Sequence, residues 1–145
     1  MVLFTIPGEP KGKGRPKFSQ QGNFVRTYTP EVTASYENLV RLEYQRQCGI
    51  FIGKDIPLIM DIRAYFGIPK SASKVKRNAM LSGDIRPTKK PDMDNIVKII
   101  ADSLNSFAYH DDSQIVSCTV EKYYSDRPRV DVYIYPKKGE ERGKS

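Results

Sequence analysis

Two acid-rich segments carry the residue types best suited to chemistry. Pro91-Asp92-Met93-Asp94-Asn95 opens an apolar helical pattern, and Asp111-Asp112 follows about one helix later. Asp92 and Asp94 are two residues apart, so in an extended segment their side chains share a face. Asp111 or Asp112 would join them from the loop after the helix. Hard carboxylate oxygens suit Mg²⁺ or Mn²⁺, which keep several waters and bind substrate phosphate directly. Such a cation activates water and stabilises in-line displacement at phosphorus. The helix N-terminus adds partial positive charge beside the same point. Lys98 lies one turn after Asp94 and one turn before Asp102. There it reads as a fixed cation for the charged phosphorane or the leaving oxyanion, rather than as a general base.

Each of these residues also has a plain structural reading. Asp94 can cap the helix, Asp92 can serve as a first-turn acid, and Asp111-Asp112 can shape a turn. Lys98 can form i,i+4 ion pairs with Asp94 and Asp102. His110 is the lone histidine, which excludes a histidine-based ligand set within one chain. The run Gly12-Lys13-Gly14-Arg15 lacks the G-x-x-x-x-G-K-[ST] spacing of a phosphate loop. It reads instead as a loop contacting DNA phosphates. Phe18, Phe24 and Tyr28 interleave with its cations and suit either base stacking or the core of a hairpin.

The acids sit in a basic chain of 145 residues with formal net charge +7. Residues 1–91 hold 16 Lys and Arg against 7 Asp and Glu; residues 92–145 hold 8 against 10. A basic front half suits a polyanionic partner, most often nucleic acid. The cationic pool is Lys11, Lys13, Arg15, Lys17, Arg26, Lys74, Lys76, Arg77, Lys89 and Lys90. Cys48 and Cys118 have no paired spacing, which argues against a disulfide framework or a zinc site and fits reduced thiols in a cytosolic protein. No signal-peptide pattern opens the sequence, and no apolar run approaches the ~20 residues needed to span a bilayer.

The elements that must position these residues follow from periodicity. Val2, Phe4 and Ile6 alternate in a short strand, followed by a basic loop or loose hairpin over residues 7–29. Thr29-Pro30-Glu31 reads as cap, N1 proline and first-turn acid of a helix burying Val32, Tyr36, Leu39 and Val40 and ending near Gly49. Residues 58–68 alternate as a half-buried strand. A short helix is expected near 71–81, then a helix from about Asp94 to Ser106 with Ile96, Ile99, Ile100, Leu104 and Phe107 on its apolar face. Two strands close the chain, one with Val116, Cys118 and Val120 inward, the other with Val130, Val132 and Ile134. Ser125-Asp126-Arg127-Pro128 turns between them. The order β-α-β-(short α)-α-β-β predicts an α+β domain over 1–136, with helices packed on a small mixed sheet. Residues 137–145 read as a charged, mobile tail.

The run Asp92-Met93-Asp94-Asn95-Ile96-Val97-Lys98, then Asp102, then Tyr109-His110-Asp111-Asp112-Ser113-Gln114-Ile115-Val116, resembles the RusA family of Holliday junction resolvases. The opening Gly8-Glu9-Pro10-Lys11-Gly12-Lys13-Gly14-Arg15-Pro16 resembles that of phage and prophage members. The resemblance implies a homodimer that nicks four-way DNA junctions symmetrically with Mg²⁺, for which Mn²⁺ is a substitute. It also implies a cytoplasmic setting, in a bacterial or phage-infected cell. By matching positions, Asp92, Asp94 and Asp112 correspond to the family's essential carboxylates, Lys98 to its essential lysine, and Asp111 to the adjacent acid. His110 stands where the family often carries a large apolar residue. The rival readings are a non-catalytic basic module binding branched nucleic acid, and a related nuclease acting on forks, flaps or RNA.

Overall fold

The computed structural model describes residues 2–14, 17–21, 24–28 and 31–138, those between 17 and 28 as backbone only. The strands are β1 (Val2–Pro7), β2 (Lys17–Gln21), β3 (Phe24–Tyr28), β4 (Leu58–Gly67), β5 (Ile115–Ser125) and β6 (Arg129–Pro136). The helices are α1 (Glu31–Gln47), α2 (Lys74–Ser82) and α3 (Met93–Ser103), and a 3-10 turn spans Asp112–Gln114. Four strands form a mixed sheet in the order β1-β6-β4-β5, and β2 pairs with β3 as a separate hairpin. Of the neighbouring strand pairs described, β4 and β5 alone are parallel. A parallel pair needs a long crossover, and that crossover carries both α2 and α3. The fold is thus the expected α+β arrangement, with the residue 7–29 region containing a hairpin rather than a loop alone.

One face of the sheet holds the core. Val2, Phe4 and Ile6 of β1, Met60, Ile62 and Phe66 of β4, and Val130, Val132 and Ile134 of β6 are buried at alternating positions. They pack under Tyr36, Val40 and Tyr44 of α1 and Ile96, Ile99 and Ile100 of α3. Removing one of these aliphatic side chains from water stabilises the fold by about 1.5–3 kcal/mol. Phe4 meets Tyr44 edge-on, ring centroids 5.1 Å apart.

The structure corrects several local expectations. The buried row of α1 is Thr33, Tyr36, Glu37, Val40 and Tyr44, whereas Val32 is exposed. The row is set at Thr33, whose hydroxyl accepts the Gly14 N–H at 3.0 Å and so meets the preceding loop. Helix α3 ends at Ser103, earlier than expected, since the chain reverses through Ser106 at φ +69°. Phe107 is therefore exposed, with the Arg41 guanidinium 5.5 Å from its ring.

Strand β5 departs most from its pattern. Its pairing with β4 shifts between Leu58 and Ile59, which turns Val116 out to solvent. Beyond the shift, Cys118 pairs with Met60 and Val120 with Ile62, so Cys118 does sit on the helix-facing side. It is nonetheless exposed: β5 is an edge strand, and the space above Cys118 is a cleft, not core. The expected cap Thr29-Pro30, Arg15, and residues 139–145 of the tail lie outside the described residues, as do the side chains of Lys17, Arg26, Phe18, Phe24 and Tyr28.

Candidate active site

Helix α3 is the site's backbone. Ile96, Ile99 and Ile100 bury one face against the sheet, and residues at fourfold spacing on the other side project outward. Asp94, Lys98 and Asp102 form that outward row. They line a cleft of about 550 Å³, with Asp112 and Cys118 on the facing wall and Val97, Ala101 and Ile115 as its apolar floor. Lys98 is exposed and makes no ion pair within 4 Å among the described residues, so the i,i+4 pairing with Asp94 and Asp102 does not form.

Asp92 is the N-cap of α3, in extended geometry, and its carboxylate accepts no cap hydrogen bond. It is exposed, and it lies outside the lining of the cleft. The segment leading into it is fixed from β5: the Lys122 ammonium donates to the carbonyls of Lys89 at 2.5 Å and Pro91 at 3.1 Å. Because Asp92 caps and Asp94 is already helical, the two do not share the face that an extended segment would give them.

The second acid pair is brought back to α3 by a fixed loop. Tyr109 is buried, and its hydroxyl donates to the Ala101 carbonyl at 2.7 Å. Burial, then the charges of Asp112 and Asp102, push the Tyr109 hydroxyl pKa far up. Gln114 ties the turn together: its Oε1 accepts from the His110 and Asp111 N–H groups, and its Nε2 donates to the carbonyls of Gly53 and Ile56. Asp111 closes a capping box and accepts the Ser113 N–H at 2.9 Å. Those Ser113 bonds hold its carboxyl below the usual carboxylate range. Asp111 points with His110 into a separate cavity of about 360 Å³.

Asp112 turns the other way. Its N–H donates to Asn105 Oδ1 at 2.8 Å, and Asn105 Nδ2 approaches its Oδ2 at 3.4 Å. Burial, and then a hydrogen bond with Asp102, raise its carboxyl pKa. Two carboxylates lining one cleft repel each other, and a divalent cation relieves that repulsion. Among the described residues, no three Asp, Glu, His or Cys side chains converge closely enough to hold a metal by themselves. Mg²⁺ is commonly held by one or two carboxylates, with waters and substrate phosphate completing its shell. The oxygens of Asp94 and Asp112 across one cleft fit that mode.

The predicted phosphate-contacting pool separates into engaged and free groups. Lys13 pairs with Glu37 at 2.5 Å and lies 3.5 Å from Asp102. Arg77 pairs with Asp126. Lys89 lies 5.6 Å from the Phe66 ring. Lys11, Lys74, Lys76 and Lys90 are exposed, and no ion pair forms at them among the described residues. Sequence reasoning misses Asn105 and Lys122; it reads Asp102 only as an ion-pair partner of Lys98 and a member of the family run, and Cys118 only as an inward strand residue. Asp102 was detectable, since it continues the fourfold row from Asp94 and Lys98. Nothing local marks Asn105 or Lys122.

The family model for endodeoxyribonuclease RusA matches residues 7–135, and the chain belongs to that family, whose members are Holliday junction resolving endonucleases. The uncharacterized protein YqaN of Bacillus subtilis (strain 168) is 40% identical over 137 residues, covering 92% of this chain and 94% of its own. No helix of the described residues is long and apolar enough to cross a membrane.

Proposed function

We propose that the chain is a Mg²⁺-dependent endonuclease that resolves four-way DNA junctions by paired symmetric nicks, with Mn²⁺ as a substitute metal. The observation that carries this reading is the shared cleft: Asp94 and Lys98 on one helical row, opposite Asp112. Asp94 and Asp112 would hold the cation, with Asp92 at the helix cap as a further carboxylate. A hard divalent ion in that place supplies Lewis-acid polarisation of the phosphoryl oxygen and an activated water.

The chain's own groups account for the rest. Lys98, which makes no ion pair among the described residues, presents its ammonium to the developing phosphorane charge, an interaction stronger in the transition state than in the ground state. The N-terminus of α3 directs partial positive charge to the same phosphate. Asn105 and Asp102 orient Asp112, as outer-shell partners orient metal-site carboxylates. Lys11, Lys74, Lys76 and Lys90 supply phosphate contacts, giving salt-dependent affinity. A homodimer matches the two-fold symmetry of a junction, so two clefts reach two equivalent strands. A cytoplasmic setting follows from that substrate.

The test is cleavage of a synthetic four-way junction with Mg²⁺ beside linear duplex, fork and flap controls, for wild type and Asp94→Asn. Paired nicks in the junction that vanish in the variant support the reading. Binding without cleavage by wild type would leave a binding module. Preferential cutting of the controls would move the substrate to forks or flaps.

A further inference from the structure

The loop over residues 11–14 is fastened across both helices. A Cβ on Gly12 would stand 2.7 Å from the Pro91 Cβ and 3.0 Å from the Asn95 Cβ, so glycine alone lets the backbone lie this close to the start of α3. The Lys13 N–H donates to the Asn95 carbonyl at 3.1 Å, and Gly14 is tied to Thr33 of α1. The Lys13 side chain then runs along α3 to its other end. Its ammonium meets Glu37 at 2.5 Å and Asp102 at 3.5 Å, with the three side chains 23%, 12% and 31% exposed.

Lys13 thus touches the residue after Asp94 through its backbone and, through its side chain, Asp102, which lines the same cleft as Asp112. Two flanking carboxylates would repel an incoming phosphate. Half-buried ion pairs also contribute little net stability, because desolvation offsets most of the attraction. Their best-attested use is to fix one arrangement among several.

We propose that Lys13 is a positioning residue of the active site: bridging Glu37 and Asp102, it holds Asp102 against Asp112 and makes no DNA phosphate contact. This rests on the nuclease reading of the cleft. The strap formed by residues 11–14 thereby ties α1 to the α3 wall of the cleft through Lys13.

The experiment uses the full chain with Lys13→Met, Lys13→Arg, Glu37→Gln, Asp102→Asn and the Lys13→Met/Asp102→Asn double variant. Junction dissociation constants across a salt series and single-turnover cleavage rates at saturating DNA and Mg²⁺ are measured for each. Lys13→Met is expected to leave the dissociation constant and its salt slope within about twofold while the rate falls roughly tenfold, within the range for loss of an outer-shell partner. Lys13→Arg recovers most of the rate, Glu37→Gln loses it, and the double variant is no slower than Asp102→Asn alone. A salt slope reduced by about one phosphate contact with an unchanged rate would overturn the proposal, as would multiplicative losses in the double variant. If wild type cuts no substrate, the nuclease reading fails separately. Amide exchange at Asp112 then decides: faster exchange in Lys13→Met supports the strap, and unchanged exchange refutes it.

Discussion

The two acid pairs look alike in sequence and end up in different physical states. At the start of α3, Asp92 and Asp94 are both exposed, and the capping member uses none of its oxygens on the helix. At the turn, Asp111 spends its charge on a capping box while Asp112 is drawn into the cleft beside Asp102. The first pair has carboxylates free to meet a cation. The second has one acid that builds the turn and one that the turn delivers. Adjacent residues of one type can therefore divide structural and chemical duties, and the dividing agent is which side of a single 3-10 turn each faces.

The comparison is broken most severely at Asp94. Asp94→Asn should lower junction cleavage on the order of 10²–10³-fold, the scale of losing a principal transition-state interaction, with junction binding by gel shift retained. Asp112→Asn should match it; a milder loss at Asp112 than at Asp111 would reverse the assignment of the two turn acids. Asn105→Ala keeps every charge but releases Asp112, so the Mg²⁺ concentration for half-maximal cleavage should rise about 10–100-fold.

A smaller effect sharpens the contrast through pH. Burial and Asp102 raise Asp112, so as pH falls its carboxylate is lost earlier than that of an ordinary aspartate. Cleavage should therefore fall off on the acid side at a higher pH than an ordinary aspartate dictates. Asp102→Asn removes part of that cause and should move the acid limb of the rate profile to lower pH. The stability linkage has the opposite sense: a raised carboxyl favours the fold below its unfolded pKa, and that contribution fades as pH rises through the folded one. The smallest change is expected for Asp111→Asn, with a slightly lower Tm, cleavage within a few-fold, and the Asp111 contribution to acid unfolding removed. Because capping holds this group low, its contribution is present above the unfolded pKa and lost as pH falls through the folded one.

Much of this was legible in the residues. The alternation Leu58, Met60, Ile62, Ala64 and Phe66 is buried throughout in β4, because a strand covered on one face leaves no other solution. The apolar row of α3 likewise fixed the direction of Asp94, Lys98 and Asp102. What was not legible depends on partners distant in the chain. Val116 alternates correctly with Val120, yet a register shift against β4 exposes it. Cys118 faces the helices and still meets solvent, since an edge strand beside a cleft has nothing above it. Lys13 sits in a Gly-rich basic run that suits phosphate, and only the packing of α1 against α3 supplies the carboxylates that claim it.

The same edge position makes Cys118 a native reporter. Its sulfur lines the cleft wall opposite Asp94 and Lys98, while the other thiol, Cys48, is only partly exposed and donates to the Leu3 carbonyl. A thiol-reactive dye therefore has a target beside the proposed scissile position without any engineered cysteine, reacting best at alkaline pH because burial pushes the Cys118 thiol up. Occupancy of the cleft by a DNA strand becomes readable as the protection of one sulfur atom from alkylation, independent of whether any bond is cut.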